Sequence, residues 1–145
     1  MMEFTWTRLM SVGNESIDLE HKALLNMMKD VERAIRIRDA RAFSQAIKLF
    51  EESVRAHFKN EAVIAHAINY SFETHQAEHQ YVLNELQAMR IELASLGGRW
   101  SESAAEHYYG FLSTWATGHI AEDDMRMKQI LETYPYDFKP SSSPD

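Results

Sequence analysis

The sequence predicts an all-α protein, an antiparallel up-down four-helix bundle with an extended N-terminal arm. Three observations carry that expectation. Apolar residues make up 45% of the 145 residues, with only three prolines and five glycines, a composition that suits continuous helices around one core. Four segments carry apolar residues at alternating steps of four and three, the seam of a helix packed in a bundle. Short turn signals separate these segments, and short connections make neighbouring helices antiparallel.

Residues 4–13 hold Phe4, Trp6, Leu9, Met10 and Val12 without helical periodicity. They are expected to form an extended arm that packs its aromatics on the body. Asn14 or Ser16 then caps a first helix over residues 16–38, because a side-chain oxygen there accepts from the unpaired amides of the first turn. Its stripe is Ile17, His21, Leu24, Met28, Val31 and Ile35. A break near Asp39 leads to a second helix over 41–67, with the stripe Phe43, Ile47, Phe50, Val54, His57, Glu61, Ile64 and Ile68. Asn69-Tyr70-Ser71 is a turn, and Ser71 is expected to cap a third helix over 72–95. Its stripe runs Phe72, His75, His79, Val82, Leu86, Met89 and Leu93, and Gly97-Gly98 should end it. Ser101 caps a fourth helix over 102–132, which ends before Pro135. The bundle domain is expected over 1–136, with 137–145 a flexible tail.

The fourth stripe is irregular. It runs Tyr108, Leu112, Trp115, His119, and becomes apolar again only as Asp124, Met127, Leu131. Five residues of regular helix would place His119 and Asp124 about 140° apart. A one-residue π-bulge between them would bring both onto the seam, and such widenings are common at functional sites.

Polar residues therefore occupy core slots on all four helices: His21, His57, Glu61, His75, His79, His119 and Asp124. A lone core histidine, or one His pair spaced i, i+4, is more often a hydrogen-bonded core residue than a ligand. Seven such groups together are different. Each unpartnered buried charge or imidazole costs several kcal/mol, and seven would exceed the roughly 5–15 kcal/mol of net stability available. A metal satisfies them jointly, by neutralising the acids and accepting imidazole lone pairs. The set is too large for one tetrahedral zinc. It suits two adjacent ions bridged by Glu61 and Asp124, and imidazole with carboxylate suits iron among other metals. Five histidines split unevenly, which leaves one ion with a vacancy for a small ligand. A histidine-rich set stabilises highly oxidised iron less than the carboxylate-rich sites of other bundles, so reversible binding of dioxygen as peroxide is expected, without O–O cleavage. His66 and His107 lie off the pattern and are expected to be surface or structural residues.

Other features exclude function classes. The net charge is −7 and no Lys/Arg cluster interrupts it, which argues against nucleic-acid or anionic-membrane partners. Cysteine is absent, so neither disulfides nor thiolate ligands are available. No apolar run approaches the ~18 residues of a membrane span, and residues 1–10 lack the pattern of a secretory signal. The expected location is the cytoplasm.

The chain resembles the hemerythrin family, and in particular its short bacterial members, the bacteriohemerythrins. The likeness rests on Trp6, Ile17-Asp18-x-x-His21, His57-Phe58-x-x-Glu61, His75-x-x-x-His79 and Trp115-x-x-x-His119-Ile120-x-x-x-Asp124, which span residues 4–131. It implies a non-haem centre of two iron ions with an oxo or hydroxo bridge. His75, His79 and His119 would hold the saturated iron, His21 and His57 the iron that takes dioxygen, and Glu61 and Asp124 would bridge. Trp6, Phe58, Trp115, Ala116 and Ile120 would wall the ligand pocket, besides serving as core. Three departures stand out: Ala62 replaces a second acid, the link from Glu61 to His75 is shorter than usual, and Ala116 stands where the family often carries Leu. A smaller side chain there would open the pocket. The implied function is carriage, storage or delivery of dioxygen, with azide, nitric oxide and peroxide as other small ligands. The chain is not expected to be an enzyme. The alternatives are a dioxygen or nitric oxide sensor module, and a di-iron enzyme that reduces peroxide or nitric oxide or oxidises ferrous iron.

Overall fold

The computed structural model describes residues 6–95, 101–115, 118–119 and 124–140, with the side chains of Thr74 and Asp124 outside that description. Four helices carry the architecture: α1 (Glu15–Arg36), α2 (Ala40–Ala67), α3 (Glu73–Ser95) and α4 (Glu102–Trp115). A short α5 (Lys128–Leu131) follows a 3-10 turn at Asp124–Met127. There is no strand among the described residues. No helix among them is long and apolar enough to cross a membrane.

The caps explain the boundaries. Asn14 accepts from the Ile17 amide and Asp39 from the Ala42 amide, each satisfying a donor that the first helical turn leaves open. Ser101 Oγ accepts from the Ala104 amide. Ser71 does not serve as a cap, because α3 begins at Glu73 and the Gln76 amide bonds back to the Phe72 carbonyl. Helices α1 and α2 end in the same way. The Asp39 amide returns to Ala34 O and the Tyr70 amide to Ala65 O, with Arg38 and Asn69 in the left-handed region at φ 58° and 59°. This Schellman closure turns the chain sharply with two hydrogen bonds and needs no long loop.

The fourth helix departs from regular α geometry next to the place where its stripe slips. Among the described residues it is not α-helical throughout 102–132. Helix α4 is described as far as Trp115, Gly118 and His119 adopt π-helical geometry, and a 3-10 turn runs over Asp124–Met127. The widening falls at the start of the stretch where the seam skips a residue. The expected Gly97-Gly98 stop, Phe4 of the arm, and residues 141–145 lie outside the described residues.

The core is divided. A large cluster includes Leu24, Val54, Phe58, Val82, Leu112 and Trp115. A smaller one includes Val12, Ile17, Ile64, Ile68, Met127 and Leu131. Along every helix the candidate ligands fall between the two. His21 separates Ile17 from Leu24, and Glu61 separates Phe58 from Ile64. His75 and His79 separate Phe72, which packs on the small cluster, from Val82. His119 separates Trp115 from Met127. The polar layer is thus closed at both ends by apolar packing, which removes water from it.

The two chain ends close the small cluster. Gly13 holds φ at 81°, and a Cβ there would come within 3.3 Å of the Glu132 side chain. Val12, beside it, is fully buried. The Glu15 amide donates to Tyr136 O at 2.8 Å, and Asn14 Nδ2 donates to Phe138 O at 3.1 Å. Within the segment expected as a tail, Phe138 packs against the small cluster. Asp18, fully buried, accepts from Ser11 Oγ, the Val12 amide and Tyr136 Oη. In the arm, Trp6 packs on the large cluster, with Lys22 Nζ 4.3 Å above its ring.

This clasp has a pH signature. Burial, then the hydrogen bond to the Asp18 carboxylate and its charge, push the Tyr136 phenol up to about 12. A raised phenol pKa favours the neutral form in the folded state. Its contribution to stability is therefore complete below the ordinary value of 10.0 and is lost as pH rises through about 12. Tyr136→Phe should cost about 1 kcal/mol at neutral pH, the scale of one net hydrogen bond. The difference from wild type should shrink toward zero in thermal melts above pH 11.

Candidate metal centre

The polar layer converges on Glu61. Its side chain is fully buried on α2. Its Oε1 lies 3.2 Å from His57 Nε2, 3.3 Å from His79 Nε2 and 3.5 Å from His119 Nε2. His57 Nε2 and His119 Nε2 are themselves 3.5 Å apart. His57 and Glu61 are spaced i, i+4 on one helix, so both side chains leave α2 on the same face. His79 and His119 reach them from α3 and from the π turn.

His21, from α1, completes a tight group. One ligand atom each from His21, His57, Glu61 and His119 lie within 4.8 Å of one another, and all four residues are buried. The His21 ring sits 4.8 Å from that of His57 and 5.9 Å from that of His119, edge-on to both. His75 is 1% exposed, and its ring is 5.9 Å from that of His79. The structure therefore gathers six of the seven expected ligands into one buried layer. The seventh, Asp124, opens the 3-10 turn after the π segment, and its side chain is outside the described residues. The His119 ring lies 5.3 Å from that of His79, 5.6 Å from that of His57 and 5.9 Å from that of His21, so the layer is one group and not two separated sets.

The donor set fits a cation. Three imidazole Nε2 atoms gathered around one carboxylate oxygen make a compact donor cage of mixed nitrogen and oxygen. Imidazole and carboxylate together suit divalent iron, zinc and their neighbours. A cation at the centre would receive lone pairs that otherwise face one another in a buried layer.

Aromatic rings wall this cage. Phe58 stacks on His79 with centroids 3.6 Å apart, Trp115 on His119 at 5.0 Å, and Phe72 on His75 at 5.2 Å. Phe58 and Trp115 thus stand where the ligand pocket was expected. Trp6 is part of the large cluster, and its partners in the described residues are core side chains and Lys22. Ala116 and Ile120 lie outside the described residues. His66 and His107 are exposed, as expected. A cleft of about 390 Å³ between α3 and α4, lined by Tyr81, Val82, Phe111, Trp115 and His119 among others, runs from the surface to the layer.

Two residues of the site had no role in the sequence reading. His57 Nδ1 lies 2.7 Å from Glu20 Oε1. Asp18, part of the conspicuous Ile17-Asp18-x-x-His21 segment, ties the arm and the C-terminal segment to the helix that carries His21. Glu20 joins residues 37 apart and Tyr136 reaches Asp18 from 118 away, separations that local periodicity does not report.

Comparison with known proteins agrees with this geometry. The model of the hemerythrin HHE cation binding domain matches residues 12–131. The chain is 22% identical over 125 residues to Bacteriohemerythrin of Pseudomonas aeruginosa, covering 86% of this chain and 78% of that protein. It is 22% identical over 129 residues to Hemerythrin-like protein of Naegleria gruberi, covering 88% of this chain and 93% of that one. No solved structure matches the chain. With α1, α2, α3 and the π turn contributing to one buried His/Glu layer, and the family model covering residues 12–131, the chain belongs to the hemerythrin HHE cation-binding domain family.

Proposed function

We propose that this protein binds dioxygen reversibly at a pair of iron ions held by His21, His57, Glu61, His75, His79, His119 and Asp124. The supporting observation is the convergence of three imidazole Nε2 atoms on one buried oxygen of Glu61, with His21 closing the group. A pair of ferrous ions supplies the two electrons that dioxygen takes up reversibly. The chain's own residues hold and orient the donors, and exclude water. Apolar clusters above and below the layer, and stacked rings on His75, His79 and His119, keep water and protons from the bound gas. We read the protein as a carrier or store, not an enzyme.

A second reading draws on the cleft that reaches His119. Its volume of about 390 Å³ exceeds what a diatomic gas needs, which favours an activity on a larger molecule, such as peroxide reduction with an organic reductant.

An optical spectrum separates the two. Ferrous protein, loaded without oxygen and then exposed to air, should develop a visible charge-transfer band that fades when oxygen is removed. Conversion straight to a ferric form, with catalytic consumption of peroxide in the presence of a reductant, would overturn the carrier reading and support the enzyme.

A further inference from the structure

We propose that Glu20 is a positioning residue for this centre: its carboxylate fixes the His57 imidazole as the Nδ1–H tautomer and so turns the Nε2 lone pair onto the metal layer. The inference rests on the metal-centre reading above. A carboxylate oxygen only accepts, so at 2.7 Å the proton between Glu20 Oε1 and His57 Nδ1 sits on the imidazole nitrogen. A neutral imidazole protonated at Nδ1 carries its lone pair on Nε2. That nitrogen is the one 3.2 Å from Glu61 Oε1 and 3.5 Å from His119 Nε2.

The carboxylate is itself held. Asn60 Nδ2 donates to Glu20 Oε1 at 3.1 Å and to Ser16 Oγ at 3.0 Å. These contacts follow from helix geometry. Ser16 and Glu20 are spaced i, i+4 on α1, and His57 and Asn60 are spaced i, i+3 on α2. Each pair therefore shares a flank, and the two flanks face each other. Glu20 immediately precedes His21, so one turn of α1 supplies a ligand to the layer and an anchor for the ligand of the neighbouring helix. The Glu20 side chain is 32% exposed and that of His57 is 1% exposed. The anionic group stands at the rim, where water solvates it, while its hydrogen bond acts in the interior. A carboxylate behind a ligating imidazole also makes its lone pair a stronger donor.

The test uses the full chain without metal and then with cobalt(II) alone. In the metal-free protein, nitrogen-15 shifts of the histidine rings report the tautomer of His57. Wild type should show Nδ1–H. Glu20→Ala should lose that preference, and Glu20→Gln should retain it, because the amide oxygen still accepts. In cobalt titrations, Glu20→Ala should bind about 10- to 100-fold more weakly, the usual cost of losing such a partner. Glu20→Gln should recover part of the loss, which a merely structural tie between α1 and α2 would not predict if both variants melt alike. A His57 ring that stays Nδ1–H in Glu20→Ala, or cobalt affinity equal in all three proteins, would overturn the proposal. Wild type that shows the tautomer but binds no cobalt would instead sink the metal-centre reading.

Discussion

Replacing Glu61 by Ala should abolish tight binding of the metal pair. Glu61 is the carboxylate on which the described ligands converge, with three imidazole nitrogens within 3.5 Å of one oxygen. Imidazoles are neutral when they ligate, so without Glu61 the described part of the cage offers a cation no opposing charge. Loss of a hydrogen-bonding partner behind a ligand costs about 10–100-fold in affinity. Loss of the ligand at the focus of the cage should cost more, at least about a hundredfold. Metal analysis of purified Glu61→Ala should give one ion per chain or none. Because Glu61 is fully buried, the substitution also leaves a void, so the comparison is made on protein shown to be folded by circular dichroism. Wild-type metal content in folded Glu61→Ala would refute the assignment of the centre.

Removing the metal should lower the melting temperature steeply. A ligand present at a thousand times its dissociation constant stabilises the fold by about 4 kcal/mol. For a domain of this size that corresponds to roughly 10–20 °C. The expected loss is concentrated in the polar layer, where histidines and Glu61 were brought together out of water and lose their shared counter-charge. Calorimetry of the chelator-treated and reloaded protein measures it. Equal melting temperatures would mean that no ion bridges the four helices.

Most of the fold and of the site was legible because both depend on periodicity. A residue that alternates by four and three along a helix faces the bundle interior, whatever its chemistry. His21, His57, Glu61, His75, His79 and His119 held such positions among Ile, Leu and Phe, and all six are buried. Helix starts were legible where a cap is local, as at Asn14 and Ser101. At Ser71 the local rule failed, since the chain runs on to Phe72, whose ring stacks on His75, before α3 begins.

The irregular seam after His119 correctly signalled a disturbed helix, but not its extent. Periodicity locates where the pattern slips. It does not report how the backbone accommodates the slip, and here the π geometry is already present at Gly118, one residue before the interval where the stripe slips. Glu20 was invisible for a different reason. It lies on a flank of α1, off the core stripe, where a single acid looks like solvated surface. Its role appears only when α2 brings His57 and Asn60 alongside. The Asp18–Tyr136 bond is likewise a product of tertiary closure.

The most direct measurement is an anaerobic titration of the metal-free chain with ferrous iron, followed by the change in protein fluorescence from Trp115, which stacks on His119, and by metal analysis of the desalted product. Two irons per chain, retained through desalting and lost in Glu61→Ala, is the predicted result. Saturation at one iron, or no retained iron, would contradict the paired centre.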